Sequence, residues 1–292
     1  MIDLSVIILN YNTKKLLLNC LNSIYNSKIK NYNIEIIVVD NNSVDGSVDA
    51  VLKFKKLHQS KSNISNLKLI KNTQNIGFAA GNNRGVLQAR GRYILFLNSD
   101  TVLEKNTLQG QIKFMDTHPD YVASTCFVYL KNGKIDPASH RGEPTPWASF
   151  TYFAKLEKLF PKSKLFGQYH HGWQDLTKVH AVPVVTGAFM MVKKKILDQI
   201  GLFDEAFFMY AEDVDLCLRI NKAGHKIGFN PKVKVLHLKG QSGRSKKSKS
   251  KANYYFWQTM KIFYKKHYYK KYFKPFSWVI LKILDNKQKK YV

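Results

Sequence analysis

The chain has 292 residues, 45% of them hydrophobic, which excludes wholesale disorder and fits one large domain, or one domain plus an appendage. With 47 Lys and Arg against 20 Asp and Glu, the formal net charge is +27; such a field attracts nucleic acid, anionic lipid or phosphorylated substrates, although abundant Lys and Asn also reflect compositional bias. Cys20, Cys126 and Cys217 lack CxxC or CxxH spacing, so they fit a reducing cytoplasm and are expected to bury as small hydrophobes.

In chain order, "MIDLSVIILNYN" carries an acid at its third position and soon turns polar. It reads as a first strand, "LSVIILN", and not as a secretory signal. The helical "TKKLLLNCLNSIYN" follows, then the strand "IEIIVVD" and the helical "SVDGSVDAVLKFKKL". Next come the strand "LKLIKN", the helical "FAAGNNRGVLQA" and the strand "YILFLNSD". Continuous apolar strands spaced by crossover helices predict a mostly parallel, Rossmann-like α/β sheet flanked by helices. Each strand ends in polar residues, at Asn10-Tyr11-Asn12, Asp40-Asn41-Asn42-Ser43, Asn72 and Asn98-Ser99-Asp100. Ligands bind at the carboxyl ends of strands in such sheets, so these tips should share one rim.

Beyond residue 103 a helix is expected over "LEKNTLQGQIKFMDTH" and a strand over "YVASTCFVYL". Ala138 to His180, rich in Pro and aromatics, reads as a loop-rich lid or acceptor-side insertion. "AVPVVTGAFMMVKK" reads as a strand, "ILDQIGLFDEAFFMYAEDVDLCLRINKAG" as helical in its second half, and "HKIGFNPKVKVLHL" as a closing pair of strands. "GQSGRSKKSKSK", from Gly240, reads as a Gly/Ser/Lys linker to a basic, aromatic helical tail. The expected division is residues 1–239, split into a nucleotide-binding half (1–103) and an acceptor-binding half (104–239), plus a tail (240–292). No apolar run reaches the ~20 residues of a membrane-spanning helix; the nearest, "FSWVILKIL", is broken by Lys282.

Several residues could carry chemistry. Asp100, at a strand tip, could share Mg2+ or Mn2+ with substrate phosphates, or simply cap the helix near Asn106. Glu212, Asp213 and Asp215 in "YAEDVDLCLR" open a helix, where acids offset the macrodipole. Asp215 is explained by pairing with Arg219 at i, i+4. Asp213 is open to a second role, a base aimed at a hydroxyl. His237 closes a strand before a Gly-rich turn and gains meaning as a partner for Asp100. Asp40 could read a nucleobase N–H, or belong to a plain turn with Ser43 as helix N-cap. "NIGFAAGNNRG" lacks GxGxxG spacing and is a weak dinucleotide match.

Taken in order, "VIILNYN", "IIVVDNNSVDGS", "NIGFAAGNNRG", "YILFLNSDT", "VTGAFMMVKK", "GLFDEAFFMYAEDVDLCLR" and "VLHLKGQS" resemble the family 2 glycosyltransferases of GT-A fold, in particular their rhamnosyltransferase-like branch. The resemblance implies that Asn10, Tyr11, Asn12 and Asp40 hold the nucleobase and ribose of a nucleotide-sugar donor, with Asn83 near the ribose or diphosphate. It implies that Asn98-Ser99-Asp100 replaces the family's Asp-x-Asp, with Asp100 and His237 holding a divalent cation, Mn2+ or Mg2+. Asn98 stands where many members have the first aspartate, so one negative charge is absent. Asp213 matches the catalytic base, while Gly187, Ala188 and Glu212 lie on the acceptor side. Inverting transfer follows, with dTDP-rhamnose as the favoured donor, a UDP-sugar as the alternative, and a saccharide or lipid-linked acceptor in cell-surface polysaccharide synthesis.

No acidic residue lies between Leu216 and Leu284. That basic, aromatic span suits an anionic membrane surface at the inner face of the cell membrane, or an amphipathic helix packed on its own domain. A nucleic-acid-binding protein is the rival from another class, but it leaves Asp213 and the polar tips unused, so no nucleic acid is expected. A sugar nucleotidyltransferase would want a glycine-rich phosphate loop, and "NYNTKKLL" has no glycine. A non-catalytic sugar-binding paralogue would not need Asp100 and Asp213.

Overall fold

The computed structural model describes residues 1–58, 64–239 and 246–291, and only the backbone of 65 and 246–249. Its first half alternates strand and helix: β1 (Leu4–Asn10), α1 (Lys14–Tyr25), β2 (Ile34–Asp40), α2 (Ser47–Leu57), β3 (Ile64–Lys71), α3 (Phe78–Val86) and β4 (Tyr93–Asn98). These four strands pair in parallel in the order β3-β2-β1-β4, with Asn10 beside Asp40 and Leu9 beside Asn98. The polar tips therefore end level, along one rim. Successive side chains alternate faces, so Leu4, Val6 and Ile8 join α1 and α2 on one side while Ile7 joins α3 on the other.

The second half continues with β5 (Thr101–Leu103), α4 (Thr107–Thr117), β6 (Tyr121–Tyr129), α5 (Pro146–Phe153), α6 (Leu156–Leu159), β7 (His180–Ala181) and β8 (Phe189–Lys193). Then come α7 (Lys194–Ile200), α8 (Glu212–Lys222), β9 (Lys226–His237), α9 (Lys246–His267) and α10 (Lys274–Lys289). Among the described residues all nine strands form one sheet, ordered β3-β2-β1-β4-β8-β6-β9-β5, with β7 on β9. β8 is antiparallel to both β4 and β6, and β5 is antiparallel to β9, so the sheet is mixed beyond β4.

Four expectations change. α2 begins at Ser47, not Ser43. The Ala138–His180 insertion holds two short helices; Thr145 starts α5 by accepting from the Ala148 N–H, with Pro146 at the first helical position. The "AVPVVTGAFMMVKK" stretch is strand only at β8 and at the end of β7. The expected closing pair is a single strand, β9, whose register against β6 shifts opposite Cys126–Phe127, around Pro231. Proline cannot donate to the ladder, which accounts for the break. Part of the proposed linker, residues 240–245, lies outside the described residues, and from Lys246 the chain is helical.

The three cysteines are free and buried, and burial pushes the Cys20 and Cys217 thiols up to about 12. The tail is no loose appendage: Phe263 and Tyr264 of α9, with Tyr268 just beyond it, share a core with Phe207 and with Val214 and Leu218 of α8.

Candidate active site

At the rim the β1 tip is a hydrogen-bonded platform. Asn10 Nδ2 donates to Asp40 Oδ1 at 2.8 Å and to Ser43 Oγ at 3.0 Å, while Asn10 Oδ1 accepts from Thr13 Oγ1 at 2.7 Å. The Ser43 N–H donates to Asp40 Oδ2 at 2.8 Å, so Ser43 closes this turn and caps no helix. Asn10 has no exposed surface, and both protons of its amide are used within the platform. Asp40 is nearly as buried, but each oxygen accepts one bond here and retains a lone pair. Tyr11 and Asn12 are the exposed members. Asn12 holds φ 53° and accepts from the Val44 N–H at 2.8 Å, locking the loop.

Asn83 is not at the rim. It lies within α3, where Gly81 abuts Leu9 and Gly85 abuts Ile7, deeper along β1. Its Nδ2 donates to Phe203 O at 2.8 Å and Glu205 Oε1 at 2.9 Å, and its Oδ1 accepts from the Phe203 N–H. The side chain ties α3 to the 203–205 loop, and both of its amide protons are engaged there.

At the β4 tip, Ser99 Oγ lies 2.9 Å from Thr13 Oγ1, and Asn98 is half-buried. Asp100 turns towards the end of β9, where Asp100 Oδ1 and His237 Nε2 stand 3.2 Å apart. The backbone fixes this, because Thr101 pairs with His237 and the Leu238 N–H donates to Asp100 O at 2.8 Å. Asp100 thus serves no helix cap. On the far side of the ring, His237 Nδ1 meets Asp136 Oδ2 at 2.7 Å, and Asp136 Oδ1 accepts from Lys239 Nζ at 2.9 Å. Burial alone would lower the imidazolium's pKa, but hydrogen bonds to Asp100 and Asp136 outweigh it and raise His237 to about 9. Asp136 is held well below the usual carboxylate range, since His237 and Lys239 overcome its burial.

A hard carboxylate oxygen facing an imidazole nitrogen, with the second nitrogen anchored by another carboxylate, fits Mn2+ or Mg2+. Among the described residues no three His, Cys, Asp or Glu form a closed cage. A cation at this pair would complete its sphere with water and phosphate oxygens.

Asp213, in the first turn of α8, is fixed to the same rim. Its Oδ2 accepts from the Gly187 N–H at 3.1 Å and its Oδ1 from the Val214 N–H at 2.8 Å. The Arg141 guanidinium lies 3.5 Å from both oxygens. Ala188, the next residue, is buried and contributes its backbone: its carbonyl accepts from the Asn98 N–H at 3.1 Å. One continuous path therefore runs from Asp213 through Gly187 and Ala188 to Asn98, two residues from Asp100. Glu212 is buried beside Asp213, and its Oε2 has no hydrogen-bond partner among the described residues. Burial and then the Asp213 charge push the Glu212 carboxyl well above its ordinary pKa.

Arg141 and Asp136 were not singled out in the sequence. Each is an isolated charge in "IDPASHRGEP", with no local spacing to tie it to Asp213 or His237. A separate concavity of about 470 Å3, lined by Lys55, Lys68, Arg84 and neighbours, lies at the outer β3 side of the sheet, away from these carboxylates.

Residues 5–201 match the model of Glycosyl transferase family 2. Over 184 residues the chain is 27% identical to the rhamnosyltransferase WbbL of Escherichia coli (strain K12), covering 60% of this chain and 65% of that protein. Over 222 residues it is 24% identical to the N-acetylglucosaminyl-diphospho-decaprenol L-rhamnosyltransferase of Mycobacterium tuberculosis (strain ATCC 25618 / H37Rv), covering 72% and 68%. The matched region thus spans about two thirds of these relatives. In fold it is similar to the mannosyltransferase PcManGT from Pyrobaculum calidifontis, solved with GDP-Man and Mn2+, at TM-score 0.60 and 19% identity over 88% of this chain and 61% of that one. The crystal structure of S. aureus TarS 1-349 gives TM-score 0.57 and 20% identity, covering 89% and 64%.

Proposed function

Because this chain belongs to glycosyl transferase family 2 and has the GT-A fold, we propose that it is an inverting glycosyltransferase that moves rhamnose from dTDP-rhamnose to a hydroxyl of a saccharide or lipid-linked acceptor. The observation that carries this reading is the path Asp213–Gly187–Ala188–Asn98, which brings a carboxylate on α8 to the rim that holds Asp100 and His237. The named rhamnosyltransferases among the relatives support the donor sugar. The decaprenol-linked substrate in one relative's name supports a lipid-linked acceptor.

In this reading Tyr11 and Asn12, on the platform of Asn10 and Asp40, border the nucleoside. The diphosphate lies by Asp100 and His237, the residues that would hold Mn2+ or Mg2+; the bound cation offsets negative charge on the leaving nucleoside diphosphate. Asp213 takes the proton of the acceptor hydroxyl as its oxygen attacks the anomeric carbon. The bond to the diphosphate oxygen breaks in the same displacement, so the anomeric configuration inverts. Glu212, buried beside Asp213 with Oε2 unpartnered among the described residues, lies on the acceptor side. Arg141 lies against Asp213 and holds its carboxylate in place.

Asp213→Asn tests the assignment. It should retain the donor-induced rise in melting temperature, while transfer falls about 100- to 10,000-fold, the range lost with a general base. Undiminished turnover would remove the base. A melting panel of dTDP- and UDP-sugars with and without Mn2+ identifies the donor, with the largest shift expected for dTDP-rhamnose plus Mn2+.

A further inference from the structure

The insertion that carries Arg141 to Asp213 continues into a surface that the transfer reaction does not use. In α5, Trp147, Phe150 and Phe153 recur at i, i+3 and i+6, which lines them up on one face of the helix. All three are exposed, Phe153 to 62%, while Ala148 and Thr151 are buried on the opposite face. Leu159, Phe160 and Leu165 extend the exposed apolar surface past α6. Apolar groups of this size in one short segment are unusual on a surface that meets only water.

The charge around them has one sign. Lys155, Lys158, Lys162 and Lys164 are exposed between the apolar side chains. The acid in their midst, Glu157, is buried, with His170 Nδ1 on its Oε1 at 2.8 Å. α10 repeats the arrangement, with Phe273, Trp278, Val279 and Ile283 exposed among Lys271, Lys274, Lys282 and Lys287. Its acid, Asp285, is taken up by Lys261 of α9. The two patches are linked through α9: Phe153 stacks with Trp257 at 6.5 Å, and Lys287 Nζ lies 5.9 Å from the Trp257 ring.

We propose that the exposed aromatic and lysine surface of α5–α6 and α10 docks this protein onto an anionic lipid bilayer. Rings and aliphatic chains enter the interfacial layer, and the lysines meet acidic head groups. No described helix is long and apolar enough to cross a membrane, so attachment is to the surface. The surface deepens the reading of a lipid-linked acceptor, and rests on it only for its purpose: the segment that docks begins beside the residue that touches the base.

The test is co-sedimentation of the full chain, without donor or acceptor, with vesicles of phosphatidylcholine and phosphatidylglycerol in equal parts, and with phosphatidylcholine alone. The wild type should sediment with the anionic vesicles and stay in solution with the neutral ones. Trp147→Ser with Phe150→Ser and Phe153→Ser should lower partition about tenfold or more. Lys155→Glu with Lys158→Glu and Lys162→Glu should lower it similarly, and more at low salt. Both variants should keep the wild-type donor-induced thermal shift, which separates failed docking from failed folding. Equal binding to neutral vesicles, no binding to either, or wild-type binding by both variants would overturn the proposal. So would a concentration-dependent dimer that the triple serine variant abolishes in the absence of vesicle binding. Vesicle binding requires no transfer, so either reading can fail without the other.

Discussion

Asp136 gives one oxygen to His237 and the other to Lys239, and this fixes which ring nitrogen faces Asp100. Removing an anchor of this kind from a metal-ligating histidine costs about 10- to 100-fold in metal affinity. Asp136→Asn should raise the Mn2+ concentration for half-maximal transfer by that factor, with donor saturation at high Mn2+ preserved. His140 leads to a different expectation. Its Nε2 meets His180 Nε2 at 2.7 Å, against the Phe229 ring and near His171. Burial first, then the neighbouring His180, lowers its pKa from 6.5 to about 4. Between those values the unfolded chain binds the extra proton, so stability is complete above about 6.5 and falls as pH drops towards about 4. Melting at pH 5 should lie below melting at pH 7, by an amount that corresponds to at most about 2 kcal/mol. His140→Asn should shrink the gap. At this scale the sequence showed which residues lie at strand tips, with His237 ending β9 and Asp100 two residues past β4. It was silent for Asp136, Arg141 and His140, whose partners lie far along the chain.

Among the elements, α3 lies close on the sheet because it carries glycine on its inner face. A Cβ on Gly85 would come 2.5 Å from Ile7 Cγ2, and one on Gly81 would strike Leu9. Gly85→Ala should therefore cost about 1–3 kcal/mol, the usual range for overpacking, read as a lower melting temperature. In "NIGFAAGNNRG", Gly81 and Gly85 serve this close approach, while Gly77, at φ 89°, abuts Phe208. The parallel run of β1 to β4 was legible because a crossover helix separates each strand from the next, whereas their order β3-β2-β1-β4 was not. Beyond β4 pairing is non-local: β8 inserts between β4 and β6, and β9 spans from β7 to β5. No periodicity within "HKIGFNPKVKVLHL" distinguishes one bulged strand from two. Asn83 misled for a related reason: its position in a motif suggested the rim, whereas its depth along α3 depends on how the helix lies.

For the molecule as a whole, α9 is part of the fold. His267 Nε2 donates to Asp215 Oδ1 at 2.7 Å while its Nδ1 accepts from Lys222 Nζ, and Arg219 holds the other Asp215 oxygen at 2.8 Å. Burial acts against the Asp215 charge, but His267, Lys266 and Arg219 keep it well below the usual carboxylate range. The tail is thus clamped two residues beyond Asp213. His267→Ala should cost about 1–3 kcal/mol by leaving Asp215 short of a donor. Removal of residues 246–291 should yield a chain that melts without cooperativity and aggregates, by calorimetry and gel filtration. Composition revealed the basic, aromatic character of this region but not its division of labour, with α9 turned inward and α10 outward.

The peptide between Gly187 and Ala188 has an implication for how such an enzyme can diversify. Its two residues bond to Asp213 on one side and to Asn98 on the other, so the start of α8 and the tip of β4 are joined through a single peptide. Changes of length within 182–188 would disturb both half-sites together and should be lethal to turnover. The 146–166 segment lies outside that link, so substitutions there should alter docking and leave the rim around Asp213 and Asp100 unchanged.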